Sequence, residues 1–512
     1  MSALSEAIRR SFEISGTPGD ASPMRVLGRR QLSGYEVLAQ GIATTAPAVS
    51  MVIVPVMLLS QHRPAAGLAI LGAVLALTVL TAICLSQFTR RMVSPGGIYS
   101  FLFQGLGARG ALAGGAAILL KYLASASMTT YHGAIMGSDL LVTAGADPDW
   151  PLKPVVCVAV ALAMLALLIR GARVAAMVIL CVETLSLVFI VGLMLTADPA
   201  SGPAHQGDSG AALPFWLIAL FALAGFESAT FLGSEARRPY VTVTRAVLWT
   251  PVVCGGLFVF AGWAAFTGRA DAIVETYLYG GSASLSTGTT SLLQLALCFS
   301  WLASAMASSN AASRIVFTMG IDRVLPPVVA RVSTRFRTPA TGMAIAVGIT
   351  SGVALILLVA RGDTLLSHIQ PLTRVGILLA YLLCGTAAWA FLHRICELTV
   401  AVRACCAVVV AVSAVGVSAL LVLDVSRHSA TVAVVLTALV AGPFLWYRWL
   451  RSRYPHTLAG TGAFDRADAL DVLPGAGSYG PDPSGAVVLV ARSPRTGAPD
   501  GDDEPPEQNP RG

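Results

Sequence analysis

Charge is scarce in this sequence. Of its 512 residues, 12% are Asp, Glu, Lys or Arg, against 55% that are hydrophobic. A soluble globular domain carries about 25% charged residues, so there is too little charge here to coat a soluble protein of this length. Lysine is nearly missing. Lys121 and Lys153 are followed by Tyr122 and Pro154, which excludes a phosphate loop of the GxxxxGKS or GxxxxGKT type, and with it an ATPase subunit acting alone. The nine cysteines form no CxxC pair and no His/Cys cluster. Cys84, Cys157, Cys181, Cys254 and Cys298 lie in apolar runs, where cysteine acts as a small hydrophobe, so neither a disulfide nor zinc is expected. No nucleophile–base pair is laid out, so the chain is not expected to be an enzyme or to carry a cofactor. A net charge of +7 fits arginine-rich loops at a membrane surface better than a nucleic-acid partner.

What is abundant is apolar sequence. Charge-free stretches run over Val37–Gln61, Pro64–Thr89, Ala246–Gly268, Thr338–Ala360, Ala404–Leu423 and Ser429–Tyr447. A spanning helix needs about 20 such residues. Stretches 174–197, 213–233 and 371–393 add spans with a lone charge, 109–143 one with Arg109, Lys121 and Asp139, 154–170 a shorter one, and 276–313 one more after an outer loop. The expectation is an all-α integral membrane protein with twelve transmembrane helices. Taken alternately, one set of connections holds 22 Lys/Arg and the other five. The positive-inside rule then puts both termini in the cytoplasm of a cell-membrane protein. Residues 1–33 read as a cytoplasmic tail. Residues 456–512, rich in Pro, Gly and Asp, read as a disordered one.

Two spans are poorly built as helices, and they hold equivalent positions. The first reads Gly34-Tyr-Glu-Val-Leu-Ala-Gln-Gly41-Ile-Ala-Thr-Thr-Ala-Pro47; the sixth reads Phe221-Ala-Leu-Ala-Gly225-Phe-Glu227-Ser. Glycine eases departure from helical geometry and proline removes a donor. Glu227 lies deep in an apolar segment, where a carboxylate must face protein or water. Interrupted helices at matching places in two halves point to a transporter built from inverted repeats. Freed N–H groups at a half-helix N-terminus suit an anion such as a substrate carboxylate, and freed carbonyls suit an ammonium. Gly41, Ile42, Ala43, Thr44 and Thr45 on the first span, with Phe221, Ala222, Ala224, Gly225 and Phe226 on the sixth, are therefore the expected substrate-binding residues. The freed N–H groups are expected near Ala43–Thr45 and the freed carbonyls near Ala222–Gly225.

Three stretches carry a resemblance: Ser94-Pro-Gly-Gly97-Ile-Tyr99; Gly225-Phe-Glu-Ser through Gly233-Ser-Glu235-Ala-Arg-Arg-Pro239 and Arg245-Ala-Val; and Asn310-Ala-Ala-Ser-Arg314 through Met319-Gly-Ile-Asp322-Arg-Val-Leu325-Pro326 to Thr338-Pro339. In order and spacing they resemble the amino acid–polyamine–organocation superfamily of permeases across the first ten spans. The resemblance implies a leucine-transporter-like fold of five plus five inverted spans with two added helices. The transport core would then cover 34–397, its repeats about 34–197 and 211–397, and the accessory helices 398–455. It further implies a site between spans 1, 3, 6, 8 and 10, and secondary transport of an amino acid by alternating access, coupled to protons or by exchange. A polyamine or amine permease is the alternative substrate reading. A non-transporting sensor of the same fold is the alternative of another class. The sequence departs from the family where its glycine pair in span 1 reads Gly41-Ile42-Ala43.

Charged and polar residues inside the spans are the candidates for coupling and gating. By the same resemblance, Glu183 lies where some members carry a lysine proposed to couple protons. A glutamate there could bind and release a proton as a cavity alternates between wet and closed, or could pair with an inner basic residue. Lys121, Ser125, Thr129, His132 and Asp139 share one helical stripe, with Lys121 available to Glu227 or Glu183. Glu227 is expected to hold the span-6 break, and Glu235 to join the inner-loop arginines in a gate. His132 is expected to be hydrogen-bonded within the protein. Tyr122 and Trp301 could line the pocket.

Overall fold

The structure, a computed structural model, describes residues 32–59, 64–147, 151–199, 215–279, 285–360, 363–460, 478–481 and 487–490. Most of the two tails lies outside the described residues. The chain divides into two units, Ala21–Arg466 and a second made of Met1–Asp20 with Ala467–Gly512.

The larger unit is helical. Its elements are α1 (Gly34–Thr44), α2 (Pro47–Leu59), α3 (Pro64–Thr89), α4 (Ile98–Thr143), α5 (Leu152–Arg170), α6 (Ala172–Thr196) and α7 (Phe215–Leu223). A 3-10 helix, Phe226–Leu232, follows, and then α8 (Pro239–Phe266), α9 (Asp271–Tyr279), α10 (Thr287–Ile321), α11 (Ala340–Val359), α12 (Asp363–Arg394), α13 (Val400–Ser426), α14 (Thr431–Arg453) and α15 (Pro455–Gly460). Eleven helical stretches, with α1 and α2 taken together as one, are long and apolar enough to cross a membrane, and Ala219–Leu232 is a shorter apolar one. The sixth span falls short because it is broken. Counting it, the described helices make the expected twelve.

Each break has a local cause. In the first span, Ala46 takes φ +45 between α1 and α2, a conformation that costs a residue with a Cβ. Pro47 then opens α2, where its missing N–H is no loss. The helix runs straight through Gly41 and Ala43, so the break comes later than the glycine suggested. Gly41 is there for space: a Cβ on it would sit 2.7 Å from Thr250 Oγ1 and 3.4 Å from the Phe226 carbonyl. In the sixth span α7 stops at Leu223, Gly225 turns at φ +135, and the chain resumes as the 3-10 helix. A third irregularity was not expected. The third span does not begin near 109 but at Ile98, and Gly107 breaks its helical geometry at φ 71 and ψ −168.

The second unit is described at two short strands. Within the tail read as disordered, Ser478–Pro481 and Val487–Val490 form an antiparallel pair, with Ser478 opposite Val490 and Pro481 opposite Val487. These strands are the described residues of that unit.

Gly225 permits a test. A Cβ there would meet Thr44 Cγ2 at 2.9 Å and the Thr44 carbonyl carbon at 3.0 Å, on a backbone that L side chains rarely adopt. Gly225→Ala is expected to cost about 1–3 kcal/mol, read as a lowered midpoint of thermal unfolding in detergent. Gly256→Ala, in a helix with open space around it, should leave the midpoint unchanged or slightly raised.

Candidate functional site

The two breaks touch. Thr44, the last residue of α1, shares a hydrogen bond with Ser228 (Oγ1 to Oγ, 2.8 Å), and both hydroxyls lie within reach of the Gln40 carbonyl, at 2.7 and 3.1 Å. Ser304 of α10 donates to the Thr44 carbonyl at 3.2 Å. Thr45 Oγ1 donates to the Ile42 carbonyl and contacts Cys254 Sγ at 3.2 Å. Carbonyls loosened by the first break are thus taken up by hydroxyls from the sixth and eighth spans. At the sixth break the Ala222, Leu223 and Ala224 carbonyls accept no hydrogen bond among the described residues. Phe226 is fully buried and packs against Tyr381, while Phe221 and Ala222 are partly exposed.

Glu227 holds the sixth break. Its Oε1 accepts from Lys121 Nζ at 3.1 Å and Tyr122 Oη at 2.9 Å. Its Oε2 accepts from the Gly225 N–H at 2.9 Å and Tyr381 Oη at 3.0 Å. Lys121 also lies over the Tyr122 ring, 3.9 Å from its centroid. All four side chains are buried. One carboxylate therefore binds the break to the third span (α4) and the tenth (α12). Tyr381 was not anticipated. It lies 154 residues from Glu227 in sequence, and only the packing of α12 beside α4 brings the two together.

Glu183 of α6 sits at the other break. Its Oε1 accepts the Ala48 N–H at 3.1 Å and Ser300 Oγ at 3.0 Å. Ala48 offers the first N–H of α2 after Pro47, so Glu183 caps the second half of the broken helix, where the partial charge of the helix end is positive. Its Oε2 is buried without a hydrogen-bond partner among the described residues. No described cation pairs with it, so the alternative of a basic partner is not what the structure has.

Toward the arginine-rich end, polar side chains tie α1 down. Gln40 donates to the Ala307 carbonyl at 2.7 Å and accepts from Asn310 at 3.0 Å. Arg314 donates to Asn310 Oδ1 at 3.2 Å and, through Nη2, to Glu235 Oε2 at 2.9 Å. Glu235 forms an ion pair, but with the buried Arg314 of α10 rather than with the inner-loop arginines expected for it. Leu32 pairs with the backbone beside Glu235, and Arg173 pairs with Glu36 at 3.1 Å. Gln40, Asn310 and Arg314 were missed as partners because their hydrogen bonds span up to 270 residues. The stripe on α4 divides. Lys121, Ser125 and Thr129 are buried, Asp139 is exposed, and His132 stacks on Trp301 with centroids 4.8 Å apart. Among the described residues no three His, Cys, Asp or Glu side chains are grouped to hold a metal.

The family model for amino acid permeases matches residues 39–450. The chain belongs to that family. The permease also resembles solved transporters. A nucleobase-cation-symport-1 family transporter, closed with bromovinylhydantoin bound, aligns with a TM-score of 0.51 at 15% identity, over 87% of this chain and 99% of that one. A substrate-bound, outward-open Na+-coupled sialic acid symporter aligns with a TM-score of 0.46 at 13% identity, over 70% and 78%. No curated protein matches the sequence. The first likeness, with the family, shows that the leucine-transporter-like fold expected from the sequence is the fold of this multi-pass membrane transporter.

The Glu227 cluster predicts a strongly coupled pair. Lys121→Met leaves a buried carboxylate without its cation and is expected to cost about 3–5 kcal/mol. Lys121→Met combined with Glu227→Gln should recover a large part of that loss. Unfolding midpoints of the two single variants and the double variant would measure the coupling.

Proposed function

We propose that this permease is a secondary active transporter of an amino acid in the cell membrane, with both termini cytoplasmic, working by alternating access and coupled to a proton through Glu183. The abutting breaks carry the reading. An unwound backbone at mid-membrane depth is tolerated where it lines a protein-walled cavity, and here it offers two unlike ends. Free carbonyls at Ala222–Ala224 suit an ammonium, and the N-terminus of α2 suits a carboxylate. Glu183 supports the coupling. It is a buried carboxylate with one oxygen free to take a proton, and each coupled proton would contribute about 2.3 kcal/mol per 100 mV of membrane potential.

One observation favours a second reading, an amine that lacks a carboxylate. The Ala48 N–H is already held by Glu183, so the chain itself supplies an anion at the half-helix end. The expected sites at Ala43–Thr45 are helical or turned inward onto the Ile42 and Gln40 carbonyls, which leaves fewer donors for a substrate carboxylate.

Uptake by proteoliposomes over matched amino acids and their decarboxylated amines, with and without an imposed pH gradient, tests both. Proton-driven accumulation of amino acids that amines do not inhibit is the expected result. Stronger competition by the amines supports the second reading, and no flux of either class sinks both. Glu183→Gln is expected to abolish gradient-driven accumulation while leaving substrate exchange measurable. Unchanged accumulation in that variant removes Glu183 from the coupling.

A further inference from the structure

Away from the breaks, a recess of about 450 Å3 opens at the arginine-rich end of the bundle between α4 and α14. It is lined by Arg109, Phe444, Tyr447, Arg448, Arg451 and Ser452. That volume lies within the range of about 300–1,000 Å3 typical of small-ligand sites. Spacings of three and four residues put Phe444, Arg448, Arg451 and Ser452 on one face of α14. Arg109 arrives from the other wall. It follows the Gly107 kink by two residues, and its guanidinium lies 4.9 Å from the centre of the Tyr447 ring.

The recess is strongly one-signed. Three arginines line it, no carboxylate does, and none of the three makes an ion pair among the described residues. Guanidinium groups gathered without counter-charge suit a phosphate-bearing anion, which they can bind through paired N–H donors. The setting selects the source. Trp446 stacks on Trp449, and Trp449 lies against Tyr454, an aromatic group of the kind that marks the membrane–water interface. Phe444 in the wall of the recess and Val440 and Leu445 just beyond it are exposed, and only 11% of the apolar window of α14 is buried. An anion at this depth therefore has an apolar wall running from it toward the bilayer centre.

We propose that this recess binds the headgroup of an anionic glycerophospholipid, with its phosphodiester held by Arg109, Arg448 and Arg451 and its acyl chains laid along the exposed flank of α14. Basic pockets between transmembrane helices are a recurrent means of holding such headgroups. The assignment is independent of the transported substrate.

The test uses the full-length protein in nanodiscs of phosphatidylcholine with a minority of phosphatidylglycerol. After exchange into detergent, the retained lipid is counted by mass spectrometry. Phosphatidylglycerol should be enriched over phosphatidylcholine on the unaltered protein, and Arg109→Gln or Arg448→Gln should each reduce that enrichment about fivefold. Arg335→Gln, at an exposed loop arginine outside the recess, should leave it unchanged. Three results overturn the assignment: undiminished enrichment in the Arg109→Gln/Arg448→Gln/Arg451→Gln variant, an equal loss in Arg335→Gln, or displacement of the lipid by excess inorganic phosphate, which assigns the recess to a soluble anion.

Discussion

A peptide group that leaves the helix at mid-membrane depth has no water to turn to, and an unmet group there costs several kcal/mol. That constraint organises the centre of this protein. The two interrupted spans meet end to end, and each meets part of the other's demand. Ser228, from the turn after the sixth break, reaches the Gln40 carbonyl in the first span. Gly225 must be glycine both for its backbone angle and because Thr44 fills the space where a side chain would lie. The eighth span adds Ser304 to the Thr44 carbonyl and Ser300 to Glu183. Neither break could form alone at this depth, because much of what compensates it comes from the other break or from a helix distant in sequence.

The same contacts restrain motion unequally. Glu227 binds the sixth break to α4 and α12 through two tyrosines and a lysine. A movement that carried the sixth span away from those helices would strip a buried carboxylate of its donors, which is costly by any estimate of buried-pair energetics. Rearrangement around this point is therefore cheaper as rotation about the cluster than as separation from it. The α1 half-helix is held by a chain of polar groups, Gln40, Asn310, Arg314 and Glu235, which can re-form with water when exposed. The α2 half-helix, Pro47–Leu59, is apolar apart from Ser50 and packs against α8. Opening toward the arginine-rich end exchanges buried polar contacts for solvated ones; opening the other way exposes hydrocarbon.

The sequence showed where the chain would fail as a helix more reliably than what would repair the failure. Gly225 two residues before Glu227 in an apolar run marked the sixth break, since a carboxylate there needs partners and a glycine permits a turn. The first break was placed too early. Gly41 looked permissive, but it serves the close approach of α8, while Ala46 bears the strained angle and Pro47 restarts the helix. Composition marks a glycine without saying whether its freedom is used for turning or for packing. The Gly107 kink was not foreseen, because the third span was taken to begin near 109, after it. Glu235 was legible as a carboxylate in need of a basic partner, but which partner was not. Arg314, Tyr381 and Ser300 pair across many helices, and no local pattern encodes which face of a distant span will meet them.

The contrast between the two buried glutamates follows from donor supply. A carboxylate has about four acceptor positions. Glu227 uses four, two on each oxygen, and one of its donors is a cation. Glu183 uses two, both on one oxygen, and neither donor carries a full charge. Both sit at the edge of a break and both are shielded from water, so depth does not separate them. What separates them is that α4 and α12 bring a lysine and two tyrosines to Glu227, whereas Glu183 meets only the Ser300 hydroxyl and the Ala48 N–H. The saturated carboxylate can fix geometry and has little capacity left for anything else. The unsaturated one still has an oxygen on which a proton, an ammonium or a cation gains by arriving, while its other oxygen is held against the first turn of the half-helix whose end faces the junction of the two breaks.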